Sequence, residues 1–230
     1  MTLPMRWTIP HAWDLSVEEA RAVQAQLAGR VIVQPAFAPS AMRTVAGVDV
    51  GFRADQARAA AVVLSFPDLE PVDWSLAEAP VTFPYVPGLL AFREAPAVLK
   101  ALEGLSTWPD LFIFDAQGIA HPRRLGLAAH LGVLLDCPSI GCAKSRLVGR
   151  HSEPPEAAAS WTPLYDGEEV IGAVVRTRTG QRPMYVSVGH RIDLQTAIDL
   201  VLACTRGHRL PETTRCAHKL AGGGKLPCRL

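Results

Sequence analysis

The 230-residue sequence carries almost no net charge, has few aromatic residues and contains no long hydrophobic run. A net charge of +1 gives no overall field of the kind that attracts nucleic acid, so any basic surface must be local. No run reaches the length of a membrane-spanning helix, and the N-terminal segment lacks the apolar core of a signal peptide. We therefore expect a cytoplasmic protein without a membrane partner.

The cysteines form an odd set of five, and no two of them have the CxxC spacing of a redox or zinc site. Several lie in apolar surroundings, where a free cysteine behaves as a small hydrophobic residue. The sequence therefore predicts reduced thiols and directs any metal site toward oxygen ligands. The cysteines are Cys137, Cys142, Cys204, Cys216 and Cys228.

Hydrophobic residues make up 49% of the chain and charged residues 20%, which is enough to bury a sizeable core. We predict one domain over residues 1–230, with flexible ends at residues 1–12 and 222–230, and a monomer. A second domain is not needed to account for the pattern.

The segment from Leu111 to Phe114 is apolar without alternation and lies between Pro109 and Gly118, which is typical of a strand buried on both faces. Asp115 follows directly, at the carboxyl end of this strand, where open α/β sheets usually hold their ligands. An N-cap or turn role for Asp115 is the alternative that this strand alone leaves open.

A second short apolar strand, from Val45 to Phe52, carries one aspartate, Asp49. If it lies next to the Asp115 strand, at the usual spacing of about 4.8 Å, both carboxylates can point into one cleft. Two such carboxylates repel each other unless a cation lies between them. Hard oxygen ligands favour Mg²⁺, with Mn²⁺ as a substitute.

Hydrophobic periodicity divides much of the chain into helices and strands. Ser16 and Glu19 have the spacing of a capping box at the start of a helix that ends at Gly29. Three strands then form an antiparallel meander, and the order strand, helix, strand after Asp110 predicts a parallel crossover. The meander strands are Thr44–Phe52, Ala59–Phe66 and Val72–Ala79, and the crossover consists of Leu111–Phe114, Leu125–Leu135 and a strand from Ser139.

A later hairpin lengthens the sheet and is followed by a helix. The hairpin strands are Glu169–Arg176 and Pro183–Val188, the helix is Asp193–Thr205, and His151–Trp161 is a surface loop. The predicted fold class is therefore α/β, with a mixed sheet of an antiparallel meander plus parallel strands, flanked by helices.

Two prolines, Pro84 and Pro87, bracket Tyr85 and Val86. They exclude helix and sheet interior at this point, so Tyr85 is predicted to lie on a stiff, exposed loop. For Tyr85 alone, a role in packing the loop is the alternative.

Glu94 follows this loop and is predicted to lie near the start of a helix or near a kink, because Pro96 is tolerable only near the first turn. It would bring a third carboxylate within reach of the Asp49 and Asp115 cleft. The alternative is a helix N-terminal glutamate stabilised by the macrodipole.

Six separated motifs resemble, in order, those of endonuclease V, the deoxyinosine-directed nuclease family of ribonuclease H-like fold. The resemblance extends from about Trp13 to Ala221. The motifs are VAGVDVGF, FPYVPGLLAFRE, FDAQGIAHPRRLGLAAHLG, PSIGCAKSRLVG, VGHR and RLPETTRCAH.

The resemblance implies a Mg²⁺-dependent DNA repair endonuclease that recognises deoxyinosine. Such an enzyme hydrolyses the second phosphodiester bond on the 3′ side of the lesion and leaves 3′-hydroxyl and 5′-phosphate ends. Asp49 and Asp115 would ligate the ion. Glu94 would complete the acidic cluster, and His218 would assist the attacking water.

The resemblance also implies which residues contact DNA. A wedge would insert at the lesion and hold the strands apart while the altered base enters a pocket. The wedge residues are Pro84, Tyr85, Val86 and Pro87. His121 and Lys144 would contact phosphate as cations, and Gly118 would belong to the turn that binds the lesion.

One position departs from the family pattern, because Ala116 stands before Gln117 and Gly118 where the family often has DGxG. An added methyl could narrow a base pocket, which leaves the lesion preference open. The alternatives are an endoribonuclease acting on inosine in RNA, a nuclease without lesion preference and a catalytically silent lesion-binding protein.

Overall fold

A computed structural model describes residue 7 and residues 9–36 and 38–225. Within these residues, eight strands form one mixed sheet in the order β3-β2-β1-β4-β5-β8-β7-β6. The strands are β1 Thr44–Arg53, β2 Gln56–Ser65, β3 Pro71–Pro80, β4 Leu111–Phe114, β5 Ser139–Ala143, β6 Trp161–Asp166, β7 Glu169–Val175 and β8 Met184–His190. The predicted α/β fold class, with a meander and a parallel crossover, is confirmed.

Helices cover both faces of the sheet. They are α1 Val17–Ala28, α2 Leu90–Glu103, α3 Leu127–Leu135, α4 Leu194–Ala203 and α5 Glu212–Ala221, with a short 3₁₀ turn at Pro39–Ala41. One core lies between the sheet and helices α4 and α5, and a second lies between the sheet and helices α2 and α3. Helix α1 packs outside α3, through Leu27 against Leu125 and Ala129.

Several predicted elements agree closely with the structure. Strand β4 has the predicted bounds, and Ser16 and Glu19 form the predicted capping box at the start of α1. One element was missed, because the predicted loop His151–Trp161 runs into strand β6, which pairs with β7 at the sheet edge. Pro163 lies within β6, and a proline in a sequence segment argues against a central strand. Because β6 is an edge strand, where proline is tolerated, the sequence pattern did not indicate it.

Strands β1 and β4 are parallel neighbours, with Val48 paired to Phe114. The backbone N–H of Asp115 donates to the carbonyl of Val48 at 3.2 Å. Because Asp49 follows Val48 and Asp115 follows Phe114, this register places Asp49, in the middle of β1, beside Asp115 at the carboxyl end of β4. The neighbouring strand β5 is also parallel to β4, so Lys144, which follows β5, lies at the same end.

Helix α5 lies directly on β1, and Gly47 permits this close approach. A Cβ atom on Gly47 would lie 2.0 Å from the carbonyl oxygen of Thr213. The helix therefore fits only against a strand position without a side chain. This packing brings His218, near the end of α5, next to Asp49 on β1.

Helix α2 differs from its prediction in the position of Pro96. The helix begins at Leu90, so Pro96 lies in the second turn and not in the first. Pro96 has no N–H to donate to the carbonyl of Phe92, which weakens the helix there. Glu94 therefore lies inside the helix, on its buried face, and the alternative of an exposed helix N-terminal glutamate does not hold.

Cys137, Cys142 and Cys204 are free and buried, as predicted, and burial raises the pKa of each thiol. Cys216 is buried as well. Cys228 lies outside the described residues. In the described part of the chain, none of the helices is long and apolar enough to span a membrane.

Candidate metal centre and substrate pocket

Three side chains that could ligate a metal meet at the carboxyl end of β4. Ligand atoms of Asp49, Asp115 and His218 all lie within 4.8 Å of one another. Asp49 lies in the middle of β1, Asp115 directly follows the neighbouring strand β4, and the imidazole comes from α5. The structure thus brings together the two predicted metal ligands and the predicted catalytic histidine.

Each carboxylate of this cluster has one cationic or polar neighbour. Nδ1 of His218 lies 2.8 Å from Oδ2 of Asp49, and the ammonium of Lys144 forms an ion pair with Oδ2 of Asp115. Burial raises the pKa of Asp115, and Lys144 opposes that rise. The ammonium of Lys144 is thus the partner of this buried carboxylate oxygen.

Glu94 lies close to this cluster without belonging to the group within 4.8 Å. Burial raises the pKa of Glu94 to about 8, and the charges of Asp49 and Asp115 add to the rise. Three carboxylates at one place repel one another, so the least solvated of them holds a proton at neutral pH. The sequence predicted this acidic cluster, and the structure places Glu94 at its buried side.

This donor set fits a hard divalent cation. Carboxylate oxygens are the preferred ligands of Mg²⁺ and Mn²⁺, and the four cysteines in the described residues are buried in the core. Oδ2 of Asp115, which pairs with the ammonium of Lys144, is an anionic oxygen that a metal cation could bind in its place. The Asp49 and Asp115 carboxylates would hold such an ion, and Glu94 lies near enough to complete its surroundings.

A cavity of about 360 Å³ opens beside the cluster. Its lining includes both carboxylates, the Lys144 side chain and the segment Tyr85–Gly88. A cavity that contains the acidic cluster and an aromatic loop together could hold an extruded base next to the reacting phosphate. Gly118 is not among the residues that line it.

The predicted wedge is an exposed loop between buried anchors. Tyr85 is 70% exposed, whereas Phe83 and Leu89 on either side are buried. The guanidinium of Arg93 donates to the carbonyl of Phe83 at 2.8 Å. The loop therefore presents one aromatic ring to solvent from a fixed base, as the two prolines predicted.

His121 does not have the environment of a phosphate-contacting cation, which is a correction to the prediction. Its ring is buried, and burial lowers its pKa to about 4, so it is neutral. Nδ1 accepts from the backbone N–H of Arg123 at 3.1 Å, and Nε2 donates to the carbonyl of Gly88 at 2.8 Å. Both ring nitrogens are thus used within the protein.

Two turn residues have structural roles at the end of β4. A Cβ atom on Gly118 would lie 2.0 Å from the carbonyl oxygen of Val188, so only glycine fits against β8. The N–H of Gly118 donates to Oγ of Ser187 at 2.9 Å. Ala116 borders the cavity and is also packed in the core with Phe114 and Leu127, so its methyl has hydrophobic neighbours.

Two buried glutamines near the cavity were not found from the sequence. Gln24 lies on the same stripe of α1 as Ala20 and Leu27, and a polar residue on an apolar stripe was the available signal. Gln117 donates to the carbonyl of Ser145 at 2.7 Å, while its Oε1 has no hydrogen-bond partner in the described residues. No pattern in the sequence distinguished Gln117 from an ordinary turn residue.

Paired carboxylates on adjacent parallel strands, on a mixed sheet and beside a cavity with an exposed aromatic loop, define a nuclease of the ribonuclease H-like class. Comparison with known proteins narrows this class. The model of the Endonuclease V family matches residues 25–219. The chain belongs to the endonuclease V family.

Relatives match over nearly the whole chain. The chain is 57% identical over 215 residues to an endonuclease V of Roseiflexus sp. (strain RS-1), covering 94% of this chain and 96% of the relative. It is 59% identical to that of Trichormus variabilis (strain ATCC 29413 / PCC 7937), covering 92% and 96%.

Solved structures give the same result. Endonuclease V from Streptomyces avermitilis superposes with a TM-score of 0.88 at 47% identity, covering 94% of this chain and 95% of that one. Ciona intestinalis endonuclease V superposes with a TM-score of 0.78 at 27% identity, covering 90% and 96%. That structure is a complex with a 24mer DNA containing an inosine followed by a ribo-adenosine.

Proposed function

We propose that this endonuclease V is a Mg²⁺-dependent DNA repair enzyme, with Mn²⁺ as a substitute, that recognises deoxyinosine. It hydrolyses the second phosphodiester bond 3′ to the lesion and leaves 3′-hydroxyl and 5′-phosphate ends. The observation that carries the proposal is the cavity lined by the carboxylates of Asp49 and Asp115 and by the exposed Tyr85. Lesion recognition and phosphate hydrolysis both need groups found at this one place.

Asp49 and Asp115 hold the ion, and Glu94 completes the acidic cluster. When bound, a divalent ion neutralises charge on the phosphate and makes a water molecule more acidic. Lys144, which pairs with Asp115, carries a positive charge beside the acidic cluster and can contact a phosphate. Asp49, Glu94, Asp115 and His218 all come from one chain, in which β1, β4, α2 and α5 bring them together, so a single-domain monomer is sufficient.

His218 transfers a proton in this scheme. Its Nδ1 is engaged by Asp49, which orients the ring. The ring is 60% exposed, so Nε2 is the nitrogen that can reach the attacking water or the departing oxygen. Asp49 thereby both binds the ion and orients the histidine.

Tyr85 enters the duplex while the altered base turns into the cavity. A ring held between two prolines can replace the lost stacking, which is worth on the order of 1–3 kcal/mol per base. Removing a base from the stack costs a few kcal/mol, and the cost is least for a poorly paired base such as hypoxanthine. Selectivity for the lesion therefore begins with the ease of opening the pair.

The test is cleavage of a labelled duplex with one deoxyinosine, beside its unmodified twin, with Mg²⁺ and with EDTA. We expect a metal-dependent nick one nucleotide beyond the lesion in the modified duplex alone. Asp49→Asn and Asp115→Asn should abolish the nick without loss of folding. Equal cutting of both duplexes would remove the lesion preference, and cutting in EDTA would remove the metal.

Inosine in RNA is a second candidate substrate. The DNA in the Ciona intestinalis complex has a ribonucleotide directly after the inosine, so that relative accommodates a 2′-hydroxyl there. Competition between matched DNA, RNA and chimeric oligonucleotides decides between the two. A preference for RNA that persists when only the nucleotide after the inosine is deoxy would favour the ribonuclease.

A further inference from the structure

The carbonyl oxygen of Gly88 receives hydrogen bonds from three side chains. Nε2 of Gln24 donates at 3.0 Å, Nε2 of His121 at 2.8 Å and Nη2 of Arg123 at 2.9 Å. Gly88 directly follows the wedge residues. A carbonyl oxygen has two lone pairs, so three donors, one of them charged, hold it unusually firmly.

The three donors are also fixed to one another. Nε of Arg123 donates to Oε1 of Gln24 at 2.6 Å, and Nε2 of Gln24 also donates to the carbonyl of Leu125 at 3.0 Å. The amide orientation of Gln24 therefore has one consistent assignment. The backbone N–H of Arg123 fixes Nδ1 of His121 as an acceptor, so Nε2 of that ring is the donor to Gly88.

Gly88 itself is adapted to this arrangement. Its φ of +81° lies in the region that favours glycine. A Cβ atom there would lie 3.1 Å from Nη2 of Arg123 and 3.3 Å from Nε2 of His121. A side chain at this position would press on two of the three donors.

The wedge loop is therefore held at both ends. At its start, Arg93 binds the carbonyl of Phe83, and at its end the three donors bind the carbonyl of Gly88. Between these anchors the Tyr85 side chain is exposed and lines the cavity.

We propose that Gln24, His121 and Arg123 are positioning residues that hold the wedge in its inserting conformation before DNA binds. The proposal rests on the proposed function, because it assumes that Tyr85 inserts at the lesion. Insertion has to offset the cost of unstacking, and a loop that must first be ordered spends part of its binding free energy on that ordering. A loop that is already fixed binds more tightly with the same contacts.

The alternative is that these hydrogen bonds only stabilise the fold, since Gln24 also joins α1 to the segment after Gly118. The two roles differ in one respect. A positioning residue acts through Tyr85 and has no further effect on binding once the tyrosine ring is removed, whereas a stabilising residue acts in either background.

The experiment is a double-mutant cycle of Gln24→Leu with Tyr85→Ala. The dissociation constant for an inosine duplex is measured in EDTA, together with the fluorescence of a 2-aminopurine next to the lesion, which reports unstacking. Gln26→Leu is the matched control, because it is the same substitution on an exposed face of α1.

We expect Gln24→Leu to raise the dissociation constant about 10-fold, the loss of about 1.4 kcal/mol of binding free energy, and to lower the 2-aminopurine signal. In the Tyr85→Ala background the same change should alter binding less than about 2-fold, within the usual additivity error. An equal effect in both backgrounds, or an unchanged 2-aminopurine signal, would overturn the proposal.

A second variant covers the case in which Gln24→Leu does not fold. Arg123→Lys keeps the charge and loses the guanidinium fork that bonds Gln24 and Gly88. Its control is Arg124→Lys, because Arg124 pairs with Asp166 and Glu169 instead. The same cycle with Tyr85→Ala applies. Cleavage of the inosine duplex by the wild-type protein tests the function itself, so an active enzyme with an additive cycle rejects the positioning role alone.

Discussion

Nδ1 of His218 and Oδ2 of Asp49 lie 2.8 Å apart although the two residues are 169 positions apart in the chain. The contact exists because α5 lies on β1 at Gly47, where a side chain would strike the backbone of Thr213. A histidine held in this way by a carboxylate has a fixed ring orientation, with one nitrogen engaged and the other directed outward.

Replacing His218 separates its two roles. His218→Ala should lower the single-turnover cleavage rate by about 100-fold or more, the usual effect of losing a proton-transfer group. His218→Asn can keep an N–H near Asp49 and has no counterpart of Nε2, so it should be almost as slow. Metal affinity, measured by Mn²⁺ titration, serves as the control. A His218→Asn enzyme with the wild-type rate would show that the ring only orients Asp49.

Lys144 and a metal ion are expected to compete for the Asp115 carboxylate. Lys144→Met should therefore bind Mn²⁺ more tightly than the wild type in the absence of DNA. The same variant should bind DNA more weakly, with a salt dependence reduced by about one ion. Arg146→Met removes a neighbouring exposed charge and should change the salt dependence alone. Weaker Mn²⁺ binding by Lys144→Met would contradict the competition.

Ala116→Gly tests whether the extra methyl restricts the cavity. Because Ala116 is packed against Phe114 and Leu127, we expect a loss of folding free energy on the order of 1 kcal/mol, measured by denaturant unfolding. The ratio of cleavage rates for deoxyinosine and unmodified duplexes should stay the same. A variant that acts on more kinds of lesion would show that the methyl faces the base.

The pH dependence of stability should report two buried histidines. The pKa of His130 is lowered to about 3 and that of His121 to about 4, mainly by burial. Nδ1 of His130 has no hydrogen-bond partner among the described residues, so its ring cannot easily accept a second proton. Below the ordinary pKa of 6.5 the unfolded chain takes up protons that the folded chain refuses. The contribution of these two neutral histidines to the free energy of unfolding is therefore fully present above pH 6.5 and is lost as the pH falls toward 4.

Each histidine contributes a slope of about 1.4 kcal/mol per pH unit in that window. Glu94 contributes a slope of the opposite sign, because its raised pKa makes the folded state more stable as the pH falls. The contribution of one histidine is therefore measured as the difference between the wild type and a histidine variant. Unfolding of the wild type and His130→Gln at pH 7, 6 and 5 supplies it. The variant should lose the slope of one histidine. Parallel curves for the two proteins would mean that His130 is protonated in the folded state.

Local patterns in the sequence were enough for the elements that carry the carboxylates. An unbroken apolar run identified β4 with its correct bounds, and the capping residues identified the start of α1. Strand β6 escaped because a proline in an edge strand looks the same in the sequence as a proline in a loop. Pro96 was misplaced for a similar reason, since tertiary packing of α2 outweighs the local penalty of a proline in its second turn.

In the candidate site, too, some residues could be predicted from the sequence and others could not. Asp49 and Asp115 could be predicted because each is a single charge in an apolar context: Asp49 lies in the middle of an apolar strand, and Asp115 lies at the carboxyl end of another. The neutral state of His121 could not, because burial depends on Gln24 and Gly88, which are distant in the sequence. A basic residue next to two arginines looks like a phosphate contact until the surrounding structure is known.

Because His218 reaches Asp49 through the docking of α5 on Gly47, the candidate site is complete only once this long-range contact has formed. Contacts between residues far apart in the chain form slowly, because a long loop must close before any contact is gained. A chain with its sheet formed and α5 still undocked has both carboxylates and no His218 beside them. If His218 transfers the proton as proposed, a chain in this state does not cleave nucleic acid. The rate at which cleavage recovers during refolding then measures the rate at which α5 docks on β1.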